Sequence, residues 1–73
     1  MTRAEHLQWA KERAIAEMEY TGQPHSALAS MGSDLGKHPE LADHPGTALG
    51  LGLFLAGGLR SLAEMKTFIE GFH

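Results

Sequence analysis

Two His-Pro dipeptides, His38-Pro39 and His44-Pro45, constrain the fold of this chain more than any other feature. Proline fixes its own φ and drives the residue before it out of helical space, so each pair ends one element and can open the next. The segment 33–46 that holds them is thereby expected to be a double hinge between two helical halves. A single helical turn begun by Pro39, with Leu41 as its apolar anchor, fits between the hinges.

Helix rather than strand follows from the side chains on either side. Valine is absent, and the β-branched residues are only Thr2, Ile15, Thr21, Thr47, Thr67 and Ile69, while Ala and Leu supply the apolar content. Unbranched side chains lose little rotamer freedom in a helix. At 73 residues the chain makes one domain, near the lower size at which a single core holds a fold.

Four helices are expected. Thr2-Arg3-Ala4-Glu5 fits a capping box for a first helix over 3–20, closed at Gly22. Ala4, Leu7, Ala10, Ala14, Ile15 and Met18 share one side at 100° per residue, with Lys11 as a flaw in the stripe unless its ammonium snorkels out. A second helix runs from Pro24 or His25 to Leu35, with Ala27, Leu28, Met31 and Leu35 on its core face and Gly36 at its end. Pro45 opens a third, over 45–56, whose Leu49, Leu51, Leu53, Phe54 and Leu55 point in nearly every direction. An all-round apolar pattern predicts a helix buried on most sides, with Gly50 and Gly52 allowing close approach of a neighbour. Ser61-Leu62-Ala63-Glu64 is a second capping box, and Leu62, Met65, Phe68, Ile69 and Phe72 give the fourth helix its apolar face before Gly71. The expected fold is all-α: a compact single-domain bundle made of two helical hairpins joined by the His-Pro loop.

Charge and composition narrow the functional classes. A net charge of −3, with six scattered basic residues, argues against nucleic-acid binding, which needs clustered Lys and Arg. The longest apolar run, residues 48–59, is interrupted by glycines and falls short of the roughly 20 residues of a membrane span. With no cysteine and no signal-like start, the chain reads as cytosolic and soluble, without disulfides or thiolate metal sites.

Five histidines bring metal into question, and His38 and His44 with Glu40 and Asp43 form the conceivable set. No spacing among them matches a zinc pattern, and both histidines occupy positions suited to turn and cap residues, so no metal or cofactor is expected. The glycine-rich stretch 50–58 fails as a phosphate loop because Leu59 stands where a lysine must follow. Ser33, Asp34, His38 and Glu40 lie close in sequence without forming a nucleophile, base and orienter, and the chain is expected not to be an enzyme. Glu5, Glu12 and Glu19 recur at heptad spacing as a solvated acidic face.

The candidate functional surface is Trp9 with Arg13, Ala16 and Tyr20, opposite the core stripe of the first helix. Trp and Tyr anchor many interfaces. The competing use of Trp9 is packing beneath a loop or the fourth helix. Exposed, the patch would serve a homo-oligomer seam or a partner site, and the chain is expected to self-associate.

Residues 1–14, 33–46 and 64–72 together resemble a family of small proteins encoded by tailed phages of actinobacteria. The resemblance spans nearly the whole chain and implies a protein made in the cytoplasm of the infected host. It also implies action by binding a host or phage protein, and it carries no catalytic or ligand residues. The alternative within the same origin is a virion or assembly component.

Overall fold

The computed structural model describes residues 2–73; Met1, the first residue of the segment 1–14 named above, lies outside them. Four helices follow in order, α1 (Arg3–Thr21), α2 (His25–Leu35), α3 (Pro45–Leu55) and α4 (Leu62–Glu70), and the described residues form no strand. The all-α, four-helix architecture read from the sequence is the one found.

Each boundary has a local cause. The Thr2 hydroxyl accepts from the Glu5 N–H at 3.1 Å while the Thr2 N–H donates to Glu5 Oε1 at 3.0 Å, closing the expected capping box. Gly22 ends α1 in the left-handed conformation at φ 72°, where glycine avoids the Cβ clash of other residues. Ser61 and Glu64 form the second box at the start of α4. His44 is the N-cap of α3: its Nδ1 accepts from the Gly46 N–H at 2.9 Å, and Pro45 follows in the first turn. His38 does the same in miniature, its Nδ1 accepting from the Glu40 N–H at 3.1 Å. Both histidines thus punctuate the chain, as their position before proline suggests.

α1 and α2 pack along their length, α4 lies against α1, and α3 lies against α2. The core is Leu7, Ala10, Ala14 and Met18 of α1, Ala27, Met31 and Leu35 of α2, Met65 and Ile69 of α4, with Leu41, Leu59 and Phe72 closing it. Leu41 is fully buried, so the turn between the two His-Pro pairs is pinned by its anchor. Ala4, placed in the core stripe by periodicity, is exposed at the open first turn. Leu59 enters the core with φ at 56°, and Gly57 before it turns at φ 98°. Together they redirect the chain between α3 and α4.

Lys11 resolves the flaw in the α1 stripe. Its Nζ donates to the main-chain carbonyls of Glu70 and Phe72, each at 2.9 Å, at the C-terminal end of α4. The Glu70 carbonyl ends α4 without a partner inside the helix, at the negative end of its dipole, and the Phe72 carbonyl follows just beyond the Gly71 cap, so the ammonium offsets both.

The third helix departs from expectation. Of its eleven residues only Gly50 is buried, while Leu49, Leu51, Leu53 and Leu55 are 58, 54, 40 and 75 % exposed. An apolar pattern without direction does not say which side is covered, and here one narrow side suffices. Gly50 is the contact: a Cβ there would lie 2.7 Å from both a Leu28 methyl and the Phe68 ring. Gly52 has nothing within 4 Å, so it permits no close crossing inside the monomer.

Candidate functional site

The aromatic face of α1 is built around Asp34, whose burial and ion pairs sequence reasoning missed. Asp34, near the end of α2, is 1 % exposed. Its Oδ2 accepts from Arg13 Nε at 2.8 Å and its Oδ1 from Lys37 Nζ at 3.3 Å. A carboxylate near a helix C-terminus meets the unfavourable end of the dipole, and the two cations compensate. His6, also buried, donates from Nε2 to the Asp34 main-chain carbonyl at 2.6 Å. Its ring lies 5.1 Å from both Trp9 and His38. Arg13 on α1 and Lys37 just past the end of α2 are opposite in charge to Asp34, 21 and 3 residues from it, but pairing across helices is invisible to periodicity.

Trp9 falls between the two readings open for it. It is half-buried, packed against the core, with the Arg13 guanidinium 4.8 Å and the Lys37 ammonium 5.9 Å from its ring centre. Both cations hold Asp34 at the same time, so the indole is roofed by side chains already fixed in place. Tyr20, by contrast, is 90 % exposed. Arg13, Ala16 and Tyr20 with Glu17 and Ser30 line a shallow depression of about 420 Å³ that Trp9 does not reach. The four residues share a helix face, and Arg13 interrupts its apolar surface.

The larger apolar surface is α3. From Pro45 to Leu59 no side chain is ionisable. Around the helix, Leu51 and Leu55 form one exposed ridge and Leu49 and Leu53 another, with Ala48, Gly52 and Ala56 between them at four-residue spacing. Two clefts flank it. One, of about 620 Å³, opens towards α2 between His25, Leu28, Leu51 and Phe54. The other, of about 710 Å³, opens towards α4 between Leu49, Phe68 and Phe72. His44 closes the near end of both clefts, its ring stacked on Phe72 at 5.0 Å and its Nε2 donating to the His73 carbonyl at 2.8 Å. Monomers rarely leave such a contiguous leucine surface uncovered unless something binds there.

Among the described residues no group of three or more His, Asp or Glu is placed to hold a metal ion, and no helix is long and apolar enough to cross a membrane. The titratable groups of this region are engaged in structure: Asp34 in its two ion pairs, His38 and His44 in capping. Comparison with protein-family models, curated proteins and solved structures finds no match to the chain.

Proposed function

We propose that this chain acts by protein–protein contact, as a small non-enzymatic accessory protein that uses the exposed leucine face of α3. The observation that carries the reading is that Leu49, Leu51, Leu53 and Leu55 stay 40 to 75 % exposed on a helix without a single charge. An apolar helix face of this kind is the complement of a groove or a second helix. The resemblance of residues 1–14, 33–46 and 64–72 to phage-encoded proteins supports a host or phage protein met in the host cytoplasm as the partner. The Trp9, Arg13, Ala16 and Tyr20 face is a second contact surface, favoured by the 90 % exposure of Tyr20.

Affinity capture from infected-host lysate tests the proposal with Leu51→Glu/Leu55→Glu and Tyr20→Ala variants beside the parent chain. A partner retained by the parent should fall at least about tenfold with the double variant, while the far-ultraviolet helical signal stays unchanged. Equal recovery by the folded double variant overturns the role of α3, and a loss confined to Tyr20→Ala transfers the role to α1.

A further inference from the structure

Resting on the reading that α3 is a contact surface, we propose that what covers it is a second copy of this chain, paired α3 against α3 about a two-fold axis. Three features of the face fit a copy of itself.

The first is charge. The molecule carries a net −3, and its acidic residues include the exposed Glu5, Glu12 and Glu19 on α1. Two copies meeting over most of this surface would place like charges together. Residues 45–59 carry none, so α3 is where two acidic molecules can meet without that repulsion.

The second is area. The exposures of 58, 54, 40 and 75 % at Leu49, Leu51, Leu53 and Leu55 amount to roughly 400 Å² of leucine surface per copy, the size of patch that marks a contact site. That alone is about half of what one partner contributes to a standard interface. A second copy supplies an equal apolar area in return, and with the rims of the flanking clefts the pair reaches the roughly 1,000 Å² at which specific association begins. The result is a dimer at the small end of the interface scale.

The third is shape. Two leucine ridges stand on either side of the Ala48, Gly52 and Ala56 row, and at Gly52 the space for a side chain is empty. A ridge beside a furrow is its own complement under two-fold symmetry, because each copy's ridge enters the other's furrow. Four-residue rows on both helices interdigitate at a crossing angle of about −50°.

Sedimentation velocity of the full chain, from about 1 to 500 µM, is the test. The weight-average mass should rise from 7.9 kDa towards twice that value across the range. Leu55→Glu should weaken the pairing at least about tenfold by setting a charge in the leucine contact. Gly52→Leu should do the same by filling the furrow, and because its side chain enters open space it leaves the monomer fold intact even where Leu55→Glu does not. Tyr20→Ala should leave the association unchanged. A mass that stays at one copy throughout, or a dimer that persists in folded Gly52→Leu, overturns the self-pairing. A monomer that still captures a lysate protein through a Leu55-sensitive contact overturns the pairing and spares the reading it rests on. A monomer that instead sediments with phosphatidylcholine vesicles, and loses them in Leu55→Glu, overturns both.

Discussion

Gly50 and Gly52 are chemically identical, two residues apart on one helix, and oppositely placed. A methyl group at either would gain up to about 1 kcal/mol of helix propensity. At Gly50 that methyl would stand 2.7 Å from Leu28 on one side and the Phe68 ring on the other, so α2 and α4 would both have to give way. Gly50→Ala is therefore expected to lower stability by about 1–3 kcal/mol despite the better propensity. At Gly52 nothing intervenes. Gly52→Ala is expected to raise stability by up to about 1 kcal/mol, and urea unfolding of the two variants in dilute solution reads the contrast in sign. Both glycines announced themselves in the sequence as places of possible close approach. Which of them is used depends on the azimuth of α3, and an apolar helix without a polar side gives no azimuth.

At the scale of the element, helix ends were far more legible than helix faces. Both capping boxes, the Gly22 terminator and the histidine caps at His38 and His44 form as their short-range spacing implies, because each involves atoms only two to four residues apart. The α1 box also makes the start of that helix sensitive to acid. Hydrogen bonds from the Thr2 backbone N–H, and then the Thr2 side chain, hold the Glu5 carboxyl below its ordinary value of 4.5. A carboxylate favoured in the folded state contributes its full stabilisation above the ordinary value and loses it as pH falls through the lower folded one. Amide exchange over the first turn of α1 is accordingly expected to quicken as pH drops below 4.5, after correction for the intrinsic rate. Glu5→Gln should abolish that dependence, leaving the first-turn protection flat with pH. Faces were harder to read than ends. The α2 stripe points inward as its periodicity implies, and so does that of α4 from Met65 onward, whereas Leu62 in its first turn is exposed and the leucines of α3 are too. His6 and Asp34 are buried through contacts between α1 and the end of α2, which no single-helix pattern encodes.

Across the whole molecule, the long-range ties gather near the end of α4. Lys11 holds the last carbonyls of α4 from the middle of α1, while Arg3 Nη2, at 3.4 Å, and His44 Nε2 both donate to the His73 carbonyl. Lys11→Met keeps the apolar stem and removes the donors. It is expected to cost about 1–2 kcal/mol, seen as a fall in melting temperature of several degrees for a domain this size. Lys11→Arg should recover part of the loss. The sequence marked Lys11 as an exception on an apolar stripe without showing what it reaches, because its partners are 59 and 61 residues away. The candidate surface was legible to a similar degree: Tyr20 is exposed, Trp9 is half covered by cations, and the larger apolar face lies on another helix. That face has a further property, which follows from its lack of ionisable groups. Between Lys37 and Arg60 the chain offers no amine to a cross-linker and no site to a protease that cuts after basic residues. The whole of α3 therefore leaves a digest on one fragment, whose side chains from 45 to 59 offer no amine or carboxylate. Contacts made through it are silent to lysine chemistry, and their footprint is written at leucine and phenylalanine.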